Sequence, residues 1–267
     1  MKRKLLSVLL TLCLAFSLLP TAALADGEET PQAEGGEQKT YVAQIDDKQY
    51  ETLQEAINDT KVGDTVLMLC DVNLRANYLN TGKAKADVTL DLGGYTLTSS
   101  YSSTVILAAK NFTIRNGTIK NTYPTVTTGG ALYASVRGST TLIGGEKGLT
   151  IDSTTIGVII KVNDPIASVT IKDGVNIKGQ YGAQVVGSRG SKFVSYKGQS
   201  ALTVNGGTIE GTIAGIAVWG PDKWCSKAKA TVNINDGVVK SADGYAIAGN
   251  GSKDYINPTT INITGGE

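Results

Sequence analysis

Residues 202–215 read LTVNGGTIEGTIAG, and this stretch decides the fold. Close copies stand at 112–117 (FTIRNG), 169–174 (VTIKDG), 232–237 (VNINDG) and 261–266 (INITGG). Looser copies stand at 88–94 (VTLDLGG) and 141–145 (TLIGG). Between their last glycines, at 94, 117, 145, 174, 207, 237 and 266, the steps are 23, 28, 29, 33, 30 and 29 residues. A nearly constant period of this size marks a solenoid or another repeat architecture. Within each copy the apolar residues alternate, as in Val169 and Ile171 or Leu202 and Val204, so one strand face points in and the other out. Each copy ends at Asn-Gly, Asp-Gly or Gly-Gly, pairs that tolerate positive φ and mark a corner. A second strand, rich in small residues, is expected about nine residues on, at 183–186, 216–219 and 245–248. That gap is too short for a crossover helix between parallel strands. The chain must therefore coil round a shared interior, one turn per repeat.

The N-terminus reads as an export leader. Lys2, Arg3 and Lys4 precede an apolar run over 5–19, and Ala23-Leu24-Ala25 offers small residues for cleavage before Asp26. The run is short for a membrane span and no second one follows, so no span is expected after cleavage. Cleavage would leave 242 of 267 residues and remove three of the 25 basic and none of the 24 acidic side chains, for a net charge of −2. A near-neutral body argues against nucleic acid as a partner. Residues 26–40 (DGEETPQAEGGEQKT) are acidic and lack apolar periodicity, and are expected to form a disordered linker. The remaining 41–267 suffice for one elongated domain.

The sequence has no histidine, which excludes histidine acid–base work, histidine-activated nucleophiles and histidine metal ligation. Cys70 and Cys225 should lie about five layers apart, on the order of 24 Å at ~4.8 Å per layer. A disulfide tolerates a Cα separation of about 7 Å, so no bridge between them is expected.

One helix is expected, at about 52–60. Thr52-Leu53-Gln54-Glu55 is a capping box, and Leu53, Ala56 and Ile57 share one face. At about two turns it is too short to stand alone, and its place is across the open end of the coil. Residues 65–69 (TVLML) supply the first buried strand. Outward files are expected along Thr113, Thr170, Thr203, Asn233 and Asn262, and along Arg115, Lys172, Asn205, Asn235 and Thr264. Lys178, Glu210 and Lys240 should stack with alternating sign past the corner. The repeat is cut immediately after a corner at Gly265-Gly266, so the C-terminal end is expected to be uncapped.

The run 41–74 (YVAQIDDKQYETLQEAINDTKVGDTVLMLCDVNL), with VTLDLGGYTLT and FTIRNGTIK after it, resembles secreted surface proteins of Gram-positive bacteria that carry a right-handed parallel β-helix of the pectin-lyase-like type. The resemblance covers 41–267 and implies an all-β, single-stranded parallel β-helix with an N-terminal capping helix. It implies a secreted or cell-surface location. It does not choose among lyases, glycosidases, carbohydrate-binding modules and adhesins, because fold does not fix function.

The residues themselves favour a non-catalytic module. The resemblance implies that a lyase on this fold would need a base, often beside acid-held calcium, but the columns next to Arg115 and Lys172 hold Thr and Asn. Asp173 and Asp236 occupy corners, where Asp is expected for turn reasons, and their separation of roughly 9–10 Å barely suits an inverting pair. No catalytic residue, metal ligand or cofactor is assigned. The better lead is three loops that follow the small-residue strands, at 187–200, 220–230 and 249–259. Each offers an aromatic beside lysine: Tyr196 with Lys197, Trp224 with Lys223, and Tyr255 with Lys253, with Phe193, Lys192 and Lys227 close by. Aromatic rings present flat faces to sugar C–H groups, and lysines suit carboxylated or sulfated sugars. The expected function is adhesion or binding of an extracellular, host or cell-wall glycan. A polysaccharide lyase or glycosidase and a purely structural stalk are the alternatives. Trp219 ends a strand and is expected in the wall or core.

Overall fold

The computed structural model describes residues 40–109, 111–124, 130–134, 138–161, 166–249 and 259–267. The run expected to be an export leader, and all of the expected linker but Thr40, lie outside them. No helix among the described residues is long and apolar enough to cross a membrane.

Over the described residues the chain winds as a parallel β-solenoid with one short α-helix. Along its first face run Thr65–Met68, Val88–Asp91, Phe112–Arg115, Gly138–Ile143 and Ile166–Ile171. The openings of Gln199–Trp219 and Lys229–Ser241 and then Thr260–Ile263 continue it. Val66, Leu90, Ile114, Leu142, Ile171, Val204, Ile234 and Ile263 stand one above another on its inner side. All but the last are buried. Each such burial contributes roughly 1.5–3 kcal/mol before chain entropy is subtracted.

The anchor glycines turn the chain as expected. Gly174, Gly207 and Gly237 have φ of 72°, 76° and 95°. At the 112–117 copy the left-handed residue is Asn116, with φ 60°, rather than the glycine. At Gly207 a Cβ would also meet the Val175 carbonyl at 2.6 Å, so the corner requires glycine for space as well as for φ.

The structure corrects one expectation of the repeat. Each turn has three faces, not two. The residues just past the corner form a strand of their own, as in Thr96–Ser99, Gly117–Asn121 and Leu149–Ser153. Leu97, Ile119, Ile151, Ile177, Ile209 and Val239 fill that second face. The small-residue strands form a third face, with Leu79, Ile106, Leu132, Val158, Ala183, Ile216 and Ile247 stacked in register. The corner between second and third faces lacks a paired-glycine signal. It is made by Ser99, Asn121, Ser153, Gly179, Gly211 and Ser241, one per turn. There the Ser99 hydroxyl shares its one proton between the carbonyls of Arg75 (3.0 Å) and Asn77 (2.6 Å) on the preceding turn, which satisfies the buried group.

The first outward file forms and extends further than expected, whereas the second is broken, with Ile143 beside Arg115 and a register shift that pairs Asn205 with Asp236. Thr65, Thr89 and Thr141 join Thr113, Thr170, Thr203, Asn233 and Asn262 in one file. Asn235 Nδ2 donates to Asn205 Oδ1 at 2.8 Å, and Thr264 Oγ1 to Asn235 Oδ1 at 3.1 Å. Lys120 and Asp152 extend the charge ladder of Lys178, Glu210 and Lys240, so five successive rungs alternate in sign. Glu210 and Lys240 pair at 3.3 Å, and Lys120 and Asp152 at 3.7 Å.

The helix α1, Leu53–Asp59, lies over the first turn with Leu53, Ala56 and Ile57 buried in the common core. Thr52 caps it, accepting from the Glu55 amide at 3.2 Å. The closure also has a part that went unanticipated. Ala43–Ile45 pairs antiparallel with both Lys48–Tyr50 and Thr65–Met68 and so covers the edge of the first face. At the other end Thr260–Ile263 is exposed along its whole length. Cys70 and Cys225 are free thiols. The first-face strands nearest them, Thr65–Met68 and Lys229–Ser241, are six ladder steps apart.

Candidate functional site

The loops 187–198 and 220–228 leave the third face on successive turns and pack on each other. Asp222 joins them: its Oδ2 accepts the Gly190 amide at 2.7 Å and its Oδ1 the Trp224 amide at 3.0 Å. Cys225 is buried between the loops and accepts the Tyr196 amide at 3.4 Å, while Ser195 Oγ donates to the Trp224 carbonyl. Burial pushes the Cys225 thiol pKa up, so this sulfur acts as a small apolar packing group and weak acceptor. The tip closes through two backbone bonds between Ser191 and Val194.

Four of the six expected site residues are thereby brought to one flank. Tyr196 is half-buried against the loop pair, and Lys197 is exposed. Trp224 is 40 % exposed, with Lys223 Nζ 5.2 Å from its ring centroid. Lys253 and Tyr255 lie outside the described residues. Phe193 sits at the tip, 91 % exposed.

The outer wall of the third face carries a second apolar cluster, separate from the core. Ile156, Ile159 and Val186 are buried there, with Tyr133, Tyr181 and Trp219 packed on them. Trp219 thus belongs to the wall. Arg189, from the first flank loop, lies over its ring at 5.3 Å and ties loop to wall. Lys161 shares a file with Val186 and Trp219. Burial, with the Arg189 charge second, pulls its pKa below the usual lysine value.

Beside this cluster runs a groove of about 570 Å³. Tyr181, Ala214 and Tyr245 occupy one file on three successive turns. Two tyrosines therefore stand two layers apart, roughly 9–10 Å, with only an alanine methyl between them. Ala217 and Ala248 are the neighbouring file and give a flat floor. Trp219 closes one side and Asp243 the other. The groove escaped the sequence reading because its spacing is two repeats and its phase belongs to the third strand.

Of the two carboxylates weighed as chemistry, Asp236 holds its own corner. Asp236 Oδ1 accepts the next amide, Gly237, at 2.7 Å, as a corner residue does. Arg115 does have an acid neighbour, which corrects the expectation of Thr and Asn alone. Asp91 sits one rung below it and pairs with its Nε at 2.8 Å. Asp91 also accepts from the Gly93 amide (2.9 Å) and from Asn116 Nδ2 (3.1 and 3.0 Å), so it is spent on fixing the corner. Among the described residues no three His, Cys, Asp or Glu side chains come together in a way that would hold a metal ion.

Comparison of the chain with protein-family models, curated proteins and solved structures finds no match.

Proposed function

We propose that this protein is a non-catalytic glycan-binding module, exported and used at the cell surface or beyond it, with the third-face groove and the joined flank loops as its binding surface. The observation that carries the reading is the groove itself: an aromatic-walled slot on an alanine floor, crossing three turns of a rigid coil. Flat rings facing a gap receive the C–H faces of a sugar, and a site on strands needs little ordering on binding. Around its Trp219 end lie Arg189 and Lys161, and the flank adds Lys197 and Lys223. Asp222 is turned inward to backbone amides, so cations dominate that rim. The chemistry favours carboxylated or sulfated chains, with lysines as point charges. Export is supported by the basic and apolar N-terminal run. Kinship with pectin-lyase-like surface proteins is supported by the opening segment and the repeat.

The test is calorimetric titration with polygalacturonate, chondroitin sulfate and heparin, beside neutral dextran. Wild type should bind an acidic chain in a salt-dependent way. The double variant Trp219→Ala, Tyr245→Ala should bind at least about tenfold more weakly, the equivalent of ~1.4 kcal/mol. Unchanged affinity in that variant removes the groove. Release of unsaturated or reducing ends by wild type overturns the non-catalytic reading.

A further inference from the structure

We propose that the cleft at the capped end of the coil is a second, independent ligand site, and that it takes the ring of a neutral sugar. It shares no residue with the third-face groove. The cap leaves it open for a definite reason. Ala43–Ile45 covers the edge of the first face only. On the third face the Gln54 side chain stands in for a strand: its Oε1 accepts the Asn80 amide at 2.8 Å and its Nε2 donates to the Asn80 carbonyl at 3.0 Å. The second-face strand Val72–Asn73 pairs with Thr96–Ser99 and, among the described residues, with nothing on its other side. A cleft of about 570 Å³ remains between that strand and the start of α1, within the range of small-molecule sites.

Its polar lining is oriented. Asn73 Oδ1 accepts the Arg75 amide, Asn77 Oδ1 the Tyr78 amide and Asn80 Oδ1 the Gly82 amide, each at 2.8 Å. An amide whose oxygen is committed in this way keeps its NH₂ as a donor, and none of these three Nδ2 groups bonds to a described residue. Asp71 Oδ1 takes the Thr96 amide at 2.8 Å, which leaves Oδ2 as an acceptor. Tyr78 is held by stacking on Tyr101, centroids 5.4 Å apart. Leu53 and Leu79 give an apolar floor. Three donors, one acceptor, a fixed ring and an aliphatic floor suit a ligand with hydroxyls at its rim and C–H groups on its faces. Charge sets the class. Asp71 and Lys83 put one charge of each sign in the lining, so no excess of either sign selects an ion, and the committed Asp71 oxygen weakens any cation cage.

The experiment uses the full chain and saturation-transfer NMR with titration of glucose, galactose, mannose, N-acetylglucosamine and their β-linked tetrasaccharides. At least one probe should bind. Asn73→Asp with Asn77→Asp keeps both turn acceptors and shape but replaces donors with acids. It should weaken that binding at least about tenfold with an unchanged thermal midpoint. Trp219→Ala with Tyr245→Ala should leave it intact. The proposal is overturned if no probe binds, if the double Asp variant binds as wild type, or if only the groove variant loses binding. It is overturned equally if extended peptides compete for the cleft and sugars do not. Failure of acidic-chain binding in the groove would leave this result untouched.

Discussion

Near its N-terminal end the coil uses 24 residues from Val66 to Leu90 and 24 more to Ile114, whereas from Leu142 onward each turn uses 29 to 33. The rungs they build are alike, because strand pairing fixes how many residues a face holds. The surplus goes largely to the corner between third and first faces. Only residues 109–111 separate Ile106–Ala108 from Phe112–Arg115, but 187–198 separate Val175–Val186 from Gln199–Trp219. The short turns end in a cap of helix and hairpin that covers the first face and leaves a cleft beside the second. The long turns carry the joined loops, the wall cluster and the groove. In this molecule the core sets the pitch, and one corner is free to vary without altering it.

Breaking the contrast at the core gives the largest expected effect. Ile171→Ala, buried with neighbours above and below, should cost about 2–5 kcal/mol in urea unfolding. Ile263→Ala belongs to the same file but is 61 % exposed on the last rung, and should cost less than about 1 kcal/mol. Equal costs would mean that the last rung is covered in solution. A smaller effect is expected at the flank. Asp222→Ala removes the acceptor of two loop amides and should cost about 1–3 kcal/mol. Amide exchange should then quicken at Gly190 and Trp224 while the interior of Ile166–Ile171 stays protected. Exchange that quickens throughout would show that the loops are part of the coil's cooperative unit.

The smallest effect is at the cap. Asp59 accepts from Lys48 Nζ at 2.7 Å, Tyr50 Oη at 2.8 Å and Lys85 Nζ at 3.2 Å. The Lys48 hydrogen bond first, then those from Tyr50 and Lys85, hold its carboxyl well below the usual carboxylate range. A folded pKa lower than the unfolded one contributes stability above the unfolded value, near pH ~4, which is lost as pH falls further. Asp59→Asn should therefore flatten the acid limb of stability against pH below about 4. An identical slope in both proteins would show that the cluster is screened by solvent.

Much of the coil was legible because it is local and repeated. The alternation in VTIKDG and its relatives gives a strand, the glycine pair gives a corner, and the period gives stacking. Thr52 and Glu55 announce the helix for the same reason: a cap is a contact between near neighbours. The second corner was hidden because Ser99, Asn121, Ser153 and Gly211 mix serine, asparagine and glycine with no fixed pair, and share only a phase. The hairpin over 43–50 was not legible, since its return strand KQY is too short to show a period.

The amino-acid order alone determined that this chain winds, how many residues each turn holds, and that two distant thiols stay apart, because those properties follow from pairing each segment with its own repeat. Which side chains meet on the outside was decided only in three dimensions. Tyr181 and Tyr245 face one slot because two turns separate them in sequence but only two layers separate them in space. Arg189 reaches Trp219, and Asn73 and Asn77 come to flank the helix start, through the fold's third face and its cap. Lateral neighbours of that kind depend on rung register and corner geometry, and no short window of sequence contains both partners.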